Sequence, residues 1–312
     1  MKVLRGLRRF LALQQGAVVT IGNFDGVHTG HQALLSDLKS LAARTHLPTL
    51  VVFFEPQPAE YFKREGAASR LMTRREKFEY LATCGIDYAY CLPFNPKLAA
   101  MSAEQFATCF VFALFQAKYV LIGHDFRFGR DRAGHPELLQ ELGAPLASVT
   151  VIYPDFKDEL GRVSSTRIRQ ALSLGHLEEA LRGLGRPFSI SGRVVAGEGR
   201  GREWGVPTAN LHTGQRVLPL RGVYCVRVVL PNQDTYWGVA NVGTRPTLNG
   251  DRARVEVHLF DFSGDLYQMR LQVLFLKRLR DEQKFASLDA LIEQIEHDVV
   301  LAKAFATQQV AH

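Results

Sequence analysis

AVVTIGNFDGVHTGH, running from Ala17 to His31, decides the class of the fold. Val18, Val19, Thr20 and Ile21 form a short apolar, β-branched run of the kind that makes a strand buried on both faces, and Gly22 ends it. From Gly30 the pattern turns helical. Ala33, Leu34, Leu35, Leu38, Leu41 and Ala42 recur at three- and four-residue intervals, with Asp37, Lys39 and Arg44 on the other side. Strand, glycine loop and helix in that order aim free backbone N–H groups and the positive helix end into one crevice, which suits phosphate. Gly22, Asn23, Phe24, Asp25 and Gly30 are expected to form it, with Gly26 and Gly30 allowing close approach. His28 and His31 share a face once the first turn has begun, so both can donate to one phosphate chain. No third ligand at a zinc-like spacing lies nearby.

Working outward, Pro48 to Phe54 (PTLVVFF) reads as a second buried strand, and Glu55 to Pro58 breaks it. Thr73 with Glu76, and Ser102 with Gln105, have the spacing of capping boxes. The helix after Ser102 carries Phe106, Phe110, Ala113 and Leu114 at helical spacing, a core face. Tyr119 to Ile122 is a further strand, followed directly by GHDFRFGRDRAG from Gly123 to Gly134. Ligands of open α/β sheets bind at the carboxyl ends of strands, so this loop is expected to join the first at one crevice, its arginines attracting phosphate. Val149 to Tyr153 is another strand, and VSSTRIR (163–169) follows, where Ser164 or Ser165 can cap a helix and Thr166 adds a hydroxyl to a second anion cradle. Arg167 and Arg169 lie two apart and diverge on a helix, so one of them is expected to reach the site. Strands alternating with helices make the first half α/β with a parallel sheet, and no P-loop sequence occurs.

Beyond Leu181 to Gly185 the grammar changes to short alternating strands: SISGRVV, VYCVRVVL, YWGVANV, RVEVHLF and MRLQVLFL, with PNQD and FSGD as hairpin loops. These make a small β-barrel or sandwich, closed by a helix from Ser287 with Leu288, Leu291, Ile292, Ile295 and Val299 as its apolar stripe. Gly197 to Asn210 (GEGRGREWGVPTAN) reads as a flexible loop over phosphates rather than packed strand, with Gly197, Gly201 and Arg202 as phosphate contacts. In RVEVHLF, alternation aims Glu256 away from the apolar face of Val255, Val257 and Leu259.

A length of 312 residues favours two domains, and 46% apolar residues suffice for packed cores. The apolar stretches are shorter than a membrane span and the N-terminus lacks a signal-peptide core, so the chain is expected in the cytoplasm. Cys84, Cys91, Cys109 and Cys225 have no CxxC spacing, so free thiols are expected. A net charge of +7 favours anionic partners. A nucleic-acid binder would need a groove-reading module, and none is recognisable.

Several segments share a resemblance. GNFDGVHTGH looks like the HxGH signature of the nucleotidyltransferase superfamily, and in this longer form it resembles the N-terminal module of bacterial bifunctional riboflavin kinase/FAD synthetases. GHDFRFG resembles that family's second motif, and SSTRIR its SSTxIR element, whose final Arg faces the phosphates; Arg169 is chosen on that match, leaving Arg167 as a surface charge. GRGREWGVPTANL resembles the riboflavin kinase motif ending GRxLGFPTANL, with Trp204 and Val206 where Leu and Phe are usual. VEVHLFDF resembles the strand that carries the kinase base, and GVANVGTRPT (238–247) and RDEQKF (280–285) match as well.

The resemblance implies a Rossmann-like nucleotidyltransferase domain over residues 1–184 and a riboflavin-kinase-like β-barrel with a C-terminal helix over 185–312. It implies riboflavin, FMN and ATP as partners, Mg²⁺ as cofactor, no nucleic acid or membrane partner, and a monomer or weak homo-oligomer. Site residues follow by motif: Glu256 as kinase base; Thr208 and Asn210 at the metal; His28, His31 and Arg169 on the leaving pyrophosphate; Asp125, Phe126, Phe128 and Arg130 at the flavin.

Overall fold

The computed structural model describes the chain except residues 5–9, 11–12, 64–67, 198–205, 215–216, 246–251 and 311–312, and for residues 245, 252 and 310 the backbone alone. Gly201, Arg202 and Trp204 therefore lie outside the described residues. Contacts divide the chain into two compact units, Met1–Ala68 with Arg74–Ser164, and Ser69–Thr73 with Ser165–His312.

The first unit runs β1 (Lys2–Leu4), β2 (Ala17–Ile21), α1 (Thr29–Thr45), β3 (Thr49–Glu55), α2 (Pro58–Phe62), α3 (Arg74–Thr83), β4 (Tyr88–Pro93), α4 (Pro96–Ala99) and α5 (Ala103–Phe106), the last continued by a π-helical stretch, Ala107–Leu114. β5 (Ala117–Gly123), α6 (Pro136–Gly143), β6 (Val149–Tyr153) and a short hairpin of β7 (Lys157–Asp158) and β8 (Gly161–Arg162) follow. Six strands form one parallel sheet in the order β1-β4-β3-β2-β5-β6. Every residue of β2 is buried, as its unbroken apolar run requires of a strand covered on both faces.

Two strands of this sheet, β1 and β4, were not legible as strands. β1 has only three residues and exists by pairing with β4, a partner more than eighty residues away. The helix after Ser102 also differs from expectation. Its capping box is present, but beyond Phe106 the wider π turn moves the buried set to Ala107, Val111 and Phe112 and leaves Ala113 exposed.

The second unit opens with α7 (Ser165–Leu174) and α8 (Leu177–Leu184), which ends on Gly185 in the left-handed conformation, φ +68°. Six strands then close a barrel: β9 (Ser189–Val195), β10 (Ala209–His212), β11 (Gly222–Val229), β12 (Thr235–Arg245), β13 (Arg252–Leu259) and β14 (Arg270–Arg280). Tyr224, Val226 and Val228 of β11 and Val255, Val257 and Leu259 of β13 fill its interior in strict alternation. β10 was hidden inside the glycine-rich segment; pairing between β9 and β13 makes it a strand and closes the barrel. α9 (Leu288–Val310) packs Ala302 against Cys225 and Phe260 on the barrel's outer face. Among the described residues no helix is long and apolar enough to cross a membrane.

Candidate active sites

In the first sheet β2 lies between β3 and β5, so the topological switch point, where such sheets bind ligands, is between β2 and β5. The loop leaving β2 is strained. Phe24 (φ +48°) and Val27 (φ +38°), neither of them glycine, adopt left-handed backbone beside Gly26 (φ +81°), each at a cost of about 1–3 kcal/mol. Burial of the Phe24 and Val27 side chains holds them there. Phe24 and Asp25 are each 2% exposed, so of the residues expected at the phosphate these two can offer only backbone. Asn23 is exposed and Gly22 half-buried.

His28 is the N-cap of α1, its Nδ1 accepting from the His31 backbone N–H at 3.4 Å. That bond leaves Nε2 as the protonated nitrogen of the neutral ring. The rings of His28 and His31 stack at 3.7 Å, and Phe24 lies 4.9 Å from His31. Gly30 keeps this arrangement open, since a Cβ there would sit 3.0 Å from Phe156 Cβ and 3.3 Å from the His28 ring. His31 Nδ1 is buried with no hydrogen-bond partner among the described residues. Burial first, then His28 and Lys77, push the His31 imidazole well below its usual range, so the ring is neutral at physiological pH.

This has a consequence for stability. Because the folded pKa is depressed, the unfolded chain binds the extra proton below about pH 6.5, so stability falls as pH drops, by at most about 1.4 kcal/mol per pH unit for this group. Amide-exchange protection in α1 is expected to decline between pH 7 and 5 more steeply in the native protein than in His31→Gln; parallel declines would contradict it.

The loop after β5 is built differently from expectation. Phe128 is 5% exposed, packed on Phe106 and Phe126 at ring distances of 5.6 and 5.4 Å, and it belongs to the core; Phe126 is half-buried. The Phe128 and Gly134 backbones pair, and Gly134 has no room for a Cβ, which would lie 2.7 Å from the Phe128 ring. Arg130 is exposed. Asp125 is ion-paired with Arg162 of β8, whose Nε also meets Asp155 at 2.8 Å, tying the β7–β8 hairpin to this loop. Lys77 was likewise missed. It is buried on α3, and its Nζ donates to the Asn23 carbonyl. Its position four residues before core-facing Leu81 was the available signal.

Ser164 closes the first unit, and Ser165, half-buried, begins α7 in the second with Thr166 exposed beside it. Arg169 Nε donates to the Ser69 carbonyl at 2.6 Å, which fixes its guanidinium. Arg167 is no surface charge. Its side chain is 16% exposed and lies 3.5 Å from Glu179 of α8, because α7 packs against α8 on that side.

In the second unit, Glu256 of β13 stands in register between Asn210 of β10 and Asn241 of β12. It faces a cavity of about 500 Å³ whose polar wall includes Thr208, Asn210, Asn241 and His258 and whose apolar wall is Leu291, Ile295 and Val299 of α9. This explains why the predicted apolar stripe of α9 is only half-buried: those residues line space rather than core. Glu256 is ion-paired with Arg254, and His258 Nδ1 lies 2.9 Å from the Pro207 carbonyl, holding the segment before Thr208. Gly197 approaches so closely that a Cβ would meet Asn210 Nδ2 at 2.2 Å. Arg280 donates to both carboxylate oxygens of Asp298, which is 2% exposed, and so fastens α9 to β14. Leaving either charge of such a buried pair alone typically costs about 3–5 kcal/mol.

Asn241 Oδ1 is buried beside Glu256 with no hydrogen-bond partner among the described residues. Such an orphaned acceptor, with the Thr208 hydroxyl and the Asn210 amide on the same wall, is a hard-oxygen donor set that suits Mg²⁺, an ion that otherwise keeps waters and phosphate oxygens.

A parallel sheet with a strained glycine loop and paired imidazoles at its switch point, followed by a barrel that opens a carboxylate into an enclosed cavity, defines a two-domain nucleotide-using transferase. A family model described as FAD synthetase matches residues 11–167, and one described as riboflavin kinase matches 184–306. The chain is 45% identical over 306 residues to the bifunctional riboflavin kinase/FMN adenylyltransferase of Escherichia coli (strain K12), with 98% of each chain covered. It is 44% identical to that of Pseudomonas fluorescens, again with 98% of each covered. A crystal structure from Streptococcus pneumoniae, described as a macrolide-efflux protein, has a TM-score of 0.79 at 35% identity, covering 92% of this chain and 94% of that one. The chain belongs to the bifunctional riboflavin kinase/FMN adenylyltransferase family.

Proposed function

We propose that this enzyme phosphorylates riboflavin to FMN and then transfers the adenylyl group of ATP to FMN, giving FAD and pyrophosphate. The observation that carries the reading is the placement of Glu256 between Asn210 and Asn241 at the mouth of a cavity of flavin-compatible size, about 500 Å³. In the kinase step Glu256 accepts the proton of the ribityl 5′-hydroxyl as that oxygen attacks the γ-phosphorus of ATP, and ADP departs. Thr208 and Asn210 would hold Mg²⁺, which when bound neutralises phosphate charge. The apolar residues of α9 would exclude water from the flavin side.

In adenylyl transfer the FMN phosphate attacks the α-phosphorus of ATP. No enzyme nucleophile is needed, because the attacking anion is already present and the protein supplies position and charge stabilisation. The backbone of Gly22 to Asp25 and the imidazoles of His28 and His31 steady the departing pyrophosphate, and Arg169 keeps the phosphate-facing role its motif gives it. Ser164, Ser165 and Thr166 add hydroxyl and N–H donors, as Gly197, Gly201 and Arg202 do over the kinase phosphates. Phe126 offers a half-buried ring to the isoalloxazine, and Asp125 and Arg130 its polar edge; Phe128 supports Phe126 from the core. Residues 1–184 are assigned to the transferase and 185–312 to the kinase. The enzyme is placed in the cytoplasm, as a monomer or weak homo-oligomer that engages neither nucleic acid nor membrane.

Purified protein with riboflavin, ATP and Mg²⁺ is expected to yield FMN and then FAD, separated by chromatography. Absence of both products would sink the reading.

A further inference from the structure

The adenylyl-transfer reading above leaves one buried charge without a role. Lys77 is 2% exposed, and lysine is almost never buried to that degree without a task for its charge. Its Nζ lies 2.5 Å from the Asn23 carbonyl oxygen and 4.6 Å from the centre of the Phe53 ring, so a cation packed on an aromatic face grips the backbone of the strained loop. A trans peptide is planar and carries its C=O and N–H on opposite edges. Drawing the Asn23 carbonyl inward toward α3 therefore turns the N–H of Phe24, where the backbone first becomes left-handed, outward.

We propose that Lys77 is a positioning residue for adenylyl transfer: by holding the Asn23 carbonyl it presents the Phe24 N–H to the phosphates of ATP. Its charge also acts through the low-dielectric interior on the same anion and on His31. Without it, the left-handed turn at Phe24 has lost its anchor and a buried carbonyl its partner. The phosphate cradle then exists only as a minor conformation.

The test uses the full-length protein with Lys77→Met, which keeps length and apolar volume, and Lys77→Arg, which restores a cation. Riboflavin phosphorylation, performed by the other unit, reports integrity and is expected to stay within about twofold of native, while kcat/KM for FMN adenylylation falls about 100-fold and KM for FMN holds. Inhibition by inorganic pyrophosphate is expected to weaken about tenfold while inhibition by adenosine is unchanged, a split that general loosening does not produce. Lys77→Arg should recover part of the loss. Adenylylation by Lys77→Met at near-native rate, or equal weakening of pyrophosphate and adenosine, overturns the proposal. If Lys77→Met does not fold, Lys77→Gln, which retains an N–H donor, is measured against the same outcomes. A native protein unable to adenylylate FMN overturns the functional reading itself, a result visible before any variant is made.

Discussion

Glu256→Gln protein is expected to leave riboflavin unphosphorylated while still converting supplied FMN to FAD at the native rate. Glutamine keeps the volume of the side chain and its place in the register between Asn210 and Asn241, so the barrel and cavity persist. What it cannot do is accept the ribityl proton. Loss of a positioned general base costs about 10²- to 10⁴-fold in rate, and that is the expected fall in FMN formation. Arg254, ion-paired with Glu256 in the native protein, keeps an amide oxygen as its acceptor, which limits the structural effect. Starting the assay once from riboflavin and once from FMN separates the two reactions. Loss of FAD formation from FMN as well would count against independent sites, and unimpaired FMN formation would remove Glu256 from the chemistry.

The second large effect is expected at His28. It does two things at once: Nδ1 caps α1 through the His31 N–H, and Nε2 is the nitrogen left to donate to phosphate. His28→Ala removes both, costing about 1 kcal/mol as a lost cap and about 10²- to 10³-fold in adenylylation as a lost preorganised donor. His28→Asn separates them, because asparagine is among the best N-caps. The asparagine variant should match native protein in thermal stability and riboflavin phosphorylation yet make FAD from FMN as poorly as the alanine variant. Should asparagine restore adenylylation, His28 serves the helix rather than the phosphates.

Some of this architecture was readable because its signals are local. Val18 to Ile21, Thr49 to Phe54 and Val149 to Tyr153 announce buried strands by unbroken apolar runs, and Val255, Glu256 and Val257 announce a two-faced strand by alternation. β1, β4 and β10 carried no such signal. Each becomes a strand by hydrogen-bonding to neighbours distant in the chain, and β10 in particular sits in a glycine-rich context that reads as loop until β9 and β13 flank it.

The site residues divide along the same line. The aim of Glu256 away from Val255 and Val257 follows from period alone, but whether that side met solvent or a cavity depended on where α9 docked. Phe126 and Phe128 look equivalent in sequence; packing on Phe106 took Phe128 into the core. Arg167 and Arg169 look equally exposed until the pairing of α7 with α8 buries Arg167 beside Glu179. The π-helical stretch shows how a period-based reading fails: spacing tuned to 3.6 residues per turn assigns Ala113 to the core, and a wider turn exposes it.

By itself the sequence determined that the chain is an α/β unit followed by a β unit, and that one histidine pair and one strand carboxylate carry the chemistry, because periodicity and glycine placement are properties of neighbouring residues. Only the tertiary structure decided which side chains face open space. It neutralised His31, buried Lys77 under the Asn23 carbonyl and set Asn241 beside Glu256, since burial and cross-strand register arise when distant segments pack.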